Sequence, residues 1–102
     1  HLIAKDNKVA AIALEDSKTG EVSELAVKGV FPFVGLDPIT DFVKDLGITD
    51  ERGYIITNEL METSVKGIYA AGDVRQKVLR QVVTATNDGA IVGQQVGQGL
   101  NN

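Results

Sequence analysis

The sequence has no cysteine and no tryptophan, and it has one methionine, one histidine and two prolines among 102 residues. Without cysteine, the chain can form no disulfide, thiolate metal site or thiol redox centre of its own. No apolar run approaches bilayer length, and no signal-peptide pattern opens the chain. The net charge of −4 argues against nucleic-acid binding, which needs a dense basic face. We therefore expect a soluble, cytoplasmic protein without nucleic-acid or membrane partners.

The remaining composition is that of an ordinary globular chain, with 43% hydrophobic and 24% charged residues. Its length allows one small domain or a piece of a larger one. The chain begins with His1 and its only methionine is Met61, so we expect a fragment of a longer protein. The single imidazole is terminal, and the serines have no histidine partner. We predict no catalytic residue and no metal ligand in this chain.

The first quarter of the sequence predicts a β-hairpin. Residues 9–14 and 21–27 are β-prone, and polar residues bound the first of these segments. Lys18-Thr19-Gly20 supplies the turn between them, because glycine can adopt a positive φ. Residues 2–4 offer a third strand.

The middle of the sequence predicts a strand, a helix and a second strand. The continuous apolar run 30–34 is typical of a buried strand, and Pro32 places it at a sheet edge or strand end. Asp37 is predicted as the N-cap of a helix whose first residue is Pro38 and which ends at Gly47. Residues 54–57 follow as a short strand. The predicted apolar stripe of the helix consists of Ile39, Phe42, Val43 and Leu46.

The last third of the sequence predicts a buried strand, a loop and a long helix. The apolar run 68–71 ends abruptly at Gly72-Asp73, and a polar loop with Arg75 and Lys77 follows. We interpret these two basic residues as a solvated loop. An apolar helical periodicity then runs from near Leu79 to about Gly97. It stays in phase through Asn87-Asp88-Gly89, so we predict one helix although that tripeptide alone indicates a turn.

The Gly72-Asp73 pair is the most informative candidate site. Glycine lets the backbone approach a ligand closely, and a carboxylate at the carboxyl edge of a sheet can accept hydrogen bonds from sugar-type hydroxyls. The following helix would direct its N-terminal N–H groups to the same place, which stabilises an anionic group by roughly 1 kcal/mol. Together these features suit a nucleotide-type redox cofactor. The alternative is an ordinary strand, loop and helix in which Asp73 caps a turn.

Two parts of the sequence carry a resemblance to a known family. Residues 62–74 and 79–85 resemble the C-terminal flavin-binding segment of low-molecular-weight bacterial thioredoxin reductases. Residues 29–35, with Pro38 soon after, resemble the strand that leads from their pyridine-nucleotide domain into the flavin domain. The resemblance implies an α/β fold, as a fragment of a three-layer FAD/NAD(P)-binding, Rossmann-like domain with an N-terminal β-hairpin. It assigns residues 1–28 to the hairpin of the pyridine-nucleotide domain and residues 29–102 to the C-terminal half of the FAD-binding domain.

The resemblance also implies which residues meet the cofactor. Asp73 would accept the ribityl hydroxyls of FAD, and Gly72 would give backbone clearance. The segment 80–82 would lie at the pyrimidine edge of the isoalloxazine, largely through backbone groups. The full set of implied cofactor-binding residues is Gly72, Asp73, Val74, Arg80, Gln81 and Val82.

The chain also departs from the family pattern. It contains neither Gly-rich dinucleotide-binding turn and no Cys-x-x-Cys pair. The resemblance therefore implies that a longer parent, expected as a homo-oligomer, passes electrons from NADPH through FAD to the disulfide of thioredoxin or a similar protein. We expect the fragment alone to be inactive.

Three alternatives remain open. The parent could be the flavoprotein subunit of a peroxide reductase, or a thiol-free relative that serves as a ferredoxin-NADP reductase. A Cys-x-x-Cys pair upstream is required for thioredoxin reductase and for the peroxide reductase subunit. It is absent from the ferredoxin-NADP reductase type. The chain could also be a folded, cofactor-free remnant, which the flavin absorbance of the purified chain would distinguish.

Overall fold

The structure, a computed structural model, describes residues 1–101. The chain divides into two compact units, His1–Gly35 and the part from Leu36 onward. The predicted boundary between residues 28 and 29 separates the parts of this chain that would belong to two different domains of a longer protein. It stays a prediction.

The first unit is a three-stranded antiparallel sheet in the order β1-β2-β3, formed by Leu2–Lys5, Lys8–Glu15 and Val22–Ala26. Asp6 and Asn7 connect β1 to β2 with φ values of 51° and 63°. Two consecutive positive φ angles are what a tight type I′ hairpin turn requires.

The turn between β2 and β3 has the geometry that its residues predict. The Asp16 carboxylate accepts the N–H groups of Lys18 and Thr19 at 2.8 and 3.0 Å. Gly20 adopts a φ of 73°, which few side chains tolerate. The structure thus confirms both the predicted hairpin and the third strand.

The apolar run 30–34 is not a strand, and this prediction is wrong for the described chain. The segment has no regular secondary structure. Phe31, Phe33 and Val34 are 84%, 94% and 92% exposed. A strand exists only through pairing with a neighbour, and this segment forms no ladder with any part of residues 1–101.

The predicted helix after residue 37 is shorter than expected. A 3-10 helix spans Asp41–Leu46, with Thr40 at its N-cap instead of Asp37. The Thr40 hydroxyl donates to the Gly53 carbonyl at 2.6 Å and thereby fixes the chain just before the helix. Gly47 ends the helix with a φ of 66°, as predicted.

The apolar stripe of this helix is not a buried face. Ile39 and Phe42 are 86% and 80% exposed, and of the four stripe residues only Val43 packs against the core. An i, i+3, i+4 pattern defines a face of a helix, but it does not specify what covers that face.

The core of the second unit lies between extended segments rather than within a sheet. Ile48, Ile55 and Ala70 are buried, and four partly buried side chains pack around them: Val43, Val65, Ile68 and Val74. The predicted strands 54–57 and 68–71 form only isolated bridges, Thr49 with Ile55, Ile55 with Arg75 and Glu62 with Tyr69. These two strand predictions are therefore wrong, although Ile55 and Ala70 from these segments do lie in the core.

One long helix, α1, spans Val82–Leu100. It continues through residues 87–89, as the unbroken periodicity predicts. It begins at Val82 rather than Leu79, because the Gln81 N–H donates to the Thr84 hydroxyl at 3.0 Å and so makes Gln81 the N-cap. Within the described part of the chain, no helix has both the length and the apolar character needed to cross a membrane.

Candidate functional site

A 3-10 turn, Gly72–Val74, carries the predicted carboxylate. Gly72 has a φ of 85°, and a Cβ added to it would lie 3.8 Å from the Ala85 Cβ, which is an ordinary contact. Its positive φ, rather than a lack of space inside the protein, therefore explains the glycine. The Arg75 N–H closes the turn by donating to the Gly72 carbonyl at 3.1 Å.

The turn faces the N-terminus of α1 across a cleft of about 540 Å³. The residues that line this cleft are Asp73, Arg80, Gln81, Val82, Ala85 and Thr86. Four of the six predicted cofactor-binding residues thus share one cavity. The Asp73 residue is exposed, and within residues 1–101 its carboxylate takes part in no hydrogen bond or ion pair.

The other two predicted residues, Gly72 and Val74, have structural contacts. The Val74 side chain packs against the core, and its carbonyl accepts the Ile55 N–H at 2.8 Å. Gly72 forms the start of the turn. Both residues place Asp73 at the cleft, and neither lines the cleft itself.

The Arg80 side chain is directed into the protein. Its Nε and Nη2 donate to the carbonyl oxygens of Asp73 and Arg75, both at 2.9 Å. Its guanidinium carbon lies 3.6 Å from the centre of the Tyr54 ring, the arrangement of a cation–π contact. The Tyr54 hydroxyl in turn donates to the Leu36 carbonyl at 3.3 Å. The Arg80 side chain is thus engaged within the protein, which leaves its backbone groups for the predicted contact with the cofactor.

Sequence reasoning missed a buried carboxylate near the cleft, Asp88. It lies on α1 and is 3% exposed. Its Oδ2 accepts the Gly72 N–H at 2.9 Å and forms ion pairs with Arg75 at 2.8 Å and Lys77 at 2.5 Å. The interpretation of Arg75 and Lys77 as a solvated loop is wrong, because their side chains are only 13% and 9% exposed.

These contacts determine the charge of the buried cluster formed by Asp88, Arg75 and Lys77. Burial alone would raise the pKa of the Asp88 carboxyl, but the hydrogen bonds from Lys77, Arg75 and the Gly72 N–H outweigh it and lower the pKa to about 2. Asp88 is therefore ionised at neutral pH. With two cations and one anion, the cluster carries one net positive charge next to the turn that bears Asp73.

The cleft combines two features that a ligand can use. The Asp73 carboxylate is available to accept hydrogen bonds from hydroxyl groups. The N–H groups of Val82 and Val83, at the start of α1, have no partner inside the helix and favour a negative charge. This set fits the hydroxylated chain and an electron-accepting ring of a flavin nucleotide, whereas the sequence has no Gly-rich turn for its pyrophosphate.

The sequence has clear relatives. The profile of the pyridine nucleotide-disulphide oxidoreductase family matches residues 2–89. The thioredoxin reductase of Bacillus subtilis is 52% identical over 92 residues, which are 90% of this chain and 29% of that protein. The thioredoxin reductase of Treponema pallidum is 54% identical over 86 residues, 84% of this chain and 28% of that protein.

Solved structures give the same result for the fold. The crystal structure of thioredoxin reductase from Streptococcus pyogenes aligns with 98% of this chain and 33% of its own, at 52% identity and a TM-score of 0.74. That from T. acidophilum aligns with 99% of this chain and 34% of its own, at 37% identity and a TM-score of 0.73. The expected α/β fold class, as part of an FAD/NAD(P)-binding fold, is confirmed. The chain spans about a third of the length of these relatives.

Proposed function

The chain belongs to the pyridine nucleotide-disulphide oxidoreductase family, and on that basis we propose that it is part of a thioredoxin reductase and supplies one portion of its flavin site. The complete enzyme would pass electrons from NADPH through FAD to the disulfide of thioredoxin. The similarity to relatives named thioredoxin reductase, at 52% identity over most of this chain, supports this choice. The 102 residues contain no cysteine, so the disulfide exchange would take place on another part of the protein.

The site assignment depends on one observation, the cleft that Asp73 shares with residues 80–82. We propose that the Asp73 carboxylate accepts the ribityl hydroxyls of FAD, and that the backbone of residues 80–82 lies along the pyrimidine edge of the ring. When bound, FAD supplies a reversible two-electron acceptor. The N-terminus of α1 would stabilise the negative charge that the ring gains on reduction, by roughly 1 kcal/mol. Gly72 and Val74 form the turn that presents Asp73.

The proposal also assigns the two parts of this chain to domains of the complete enzyme. Residues 29–102 would form part of the FAD-binding domain, and residues 1–28 would belong to the pyridine-nucleotide domain. We also propose that the protein is cytoplasmic and homo-oligomeric. The large apolar side chains exposed in both units, such as Phe33 and Phe42 at 94% and 80%, support burial against further protein surface.

Replacing Asp73 tests the site in the full-length protein. Asp73→Ala should weaken FAD binding by about 1–3 kcal/mol, a loss of roughly 5- to 150-fold, because the ribityl hydroxyls lose a charged acceptor. The measurement is the dissociation constant of FAD for the apoprotein, followed by flavin fluorescence. The matched control is Asp45→Ala, an exposed carboxylate outside the cleft, which should leave the constant unchanged. An unaltered constant for Asp73→Ala would remove this carboxylate from the site.

The 102-residue chain alone offers a second test, which separates a cofactor-binding module from a cofactor-free remnant. We predict that the purified chain retains little or no FAD, because it lacks the Gly-rich turn that binds the pyrophosphate in dinucleotide-binding folds. The measurement is the visible absorbance of flavin per mole of chain, with the full-length protein as the positive control. Stoichiometric flavin on the short chain would contradict the prediction and show that Asp73 and α1 suffice.

A further inference from the structure

Within residues 1–101, the hydrogen bond between α1 and the turn that carries Asp73 ends on one carboxylate, that of Asp88. Asp88 Oδ2 accepts the N–H of Gly72, the residue just before Asp73, at 2.9 Å. The same oxygen binds Arg75 and Lys77, which follow Asp73 by two and four residues. One buried atom thus has three contacts that lie on both sides of the candidate ligand-binding residue.

The orientation of Asp73 depends on this backbone. Within residues 1–101, Asp73 is held only through main-chain contacts, such as the bond from Arg80 Nε to its carbonyl at 2.9 Å. Its exposed side chain has no protein partner of its own, so the carboxylate points wherever the turn directs it. The turn also contains Gly72 at a φ of 85°, a conformation that the Asp88 contact stabilises by giving the Gly72 N–H an acceptor.

A second contact extends the attachment beyond α1. Arg75 pairs with Asp88 through its Nη1, and its Nε donates to the Thr57 hydroxyl at 2.7 Å. Ile55 also bridges to Arg75 through the backbone. Arg75 therefore connects the turn both to α1 and to the core segment around Ile55. With Asp88 neutral, Arg75 and Lys77 would be two nearly buried cations without a counterion, and we expect them to move toward solvent and to take the turn with them.

We propose that Asp88 is a positioning residue of the flavin site. It holds the Gly72–Val74 turn against α1, so that the Asp73 carboxylate faces the cleft in the orientation that receives the ribityl hydroxyls. Asp88 lines no part of that cleft, and it acts on the cofactor only through Asp73. The inference rests on the function proposed above.

A double-mutant cycle in the full-length protein tests this dependence. The readout is the dissociation constant of FAD for the apoprotein of four forms: wild type, Asp73→Ala, Asp88→Asn and the double variant. Asp88→Asn keeps the side-chain shape and should weaken FAD binding about tenfold, whereas in the Asp73→Ala background it should change the constant less than about twofold. Additive effects in the cycle, or full FAD affinity in Asp88→Asn, would overturn the proposal.

A control separates positioning from a general loss of stability. Met61→Ala truncates a side chain that is 3% exposed and makes no hydrogen bond or ion pair to the turn. At a comparable loss of stability it should bind FAD as the wild type does. In the Asp73→Ala background it should leave the dissociation constant of that variant unchanged. Equal losses of FAD affinity in Met61→Ala and Asp88→Asn would mean that Asp88 acts only through stability, and would overturn the proposal.

A milder variant keeps the test valid if Asp88→Asn does not fold. Lys77→Met retains the aliphatic stem and removes one of the three donors to Asp88. It should weaken FAD binding severalfold in the wild type and leave the Asp73→Ala variant unchanged, and an unaltered affinity in the wild type would reject the inference. A full-length wild type that binds no FAD would instead reject the proposed function. FAD binding that depends on Asp73 but not on Asp88 would reject only the inference.

Discussion

Asp88→Ala should lower the free energy of unfolding of the protein by about 3–5 kcal/mol, because it leaves two buried cations without their counterion. Arg75 and Lys77 lie at 2.8 and 2.5 Å from the carboxylate, with side chains 13% and 9% exposed. The Gly72 N–H loses its acceptor in the same substitution. Urea denaturation at pH 7, followed by far-UV circular dichroism, measures the change. Asp45→Ala, at an exposed carboxylate, is the matched control and should change stability by less than about 0.5 kcal/mol.

The pH dependence of the unfolding free energy shows whether the loss of stability in Asp88→Ala is electrostatic in origin. The pKa of Asp88 is lowered in the folded state from 3.8 to about 2, so its contribution is complete above pH 4 and is lost as the pH falls toward 2. A difference of this size corresponds to about 2 kcal/mol. The stability gap between wild type and Asp88→Ala should therefore narrow by this amount between pH 5 and pH 2. A gap that does not depend on pH would mean that packing, not charge, causes the loss.

Ile48→Ala should also cost about 2–5 kcal/mol, because it creates a cavity in the core of the second unit. Ile48 is 2% exposed and clusters with Ile55 and Ala70. Urea denaturation measures the loss, and the slope of the transition should stay unchanged if only the folded state is affected.

An exposed isoleucine gives the control for this substitution. Ile56 is 45% exposed and differs from Ile48 in burial, not in side-chain chemistry. Ile56→Ala should cost less than half as much as Ile48→Ala. Equal losses at the two positions would contradict the assignment of the core to Ile48, Ile55 and Ala70.

The local elements that the sequence predicts well are those that depend on neighbouring residues. The β2–β3 turn follows from Gly20 and the end of the 3-10 helix from Gly47, since both positions need a positive φ. Helix α1 follows from its periodicity, which remains in phase through residues 87–89. These predictions succeed because the responsible interactions span only a few residues.

The predictions that fail depend on partners distant in the sequence. Residues 30–34 have the composition of a buried strand, yet Phe33 is 94% exposed. The stripe with Ile39 and Phe42 has a helical period but little burial. An apolar pattern states which residues favour burial, and it contains no information on whether a neighbouring strand or helix is present to cover them.

The candidate site likewise contains one part that depends on neighbouring residues and one part that depends on residues distant in the sequence. From residue order alone, Asp73 and residues 80–82 are expected close together, because one turn and the start of the next helix carry them. The contact of Asp88 with this turn follows only from the folded chain, since its partners Gly72 and Lys77 are 16 and 11 residues away. The Asn-Asp-Gly sequence around Asp88 indicated a turn, whereas its role comes from the helix face on which folding places it. A long-range ion pair depends on which surfaces meet, and no local pattern of residue types encodes that.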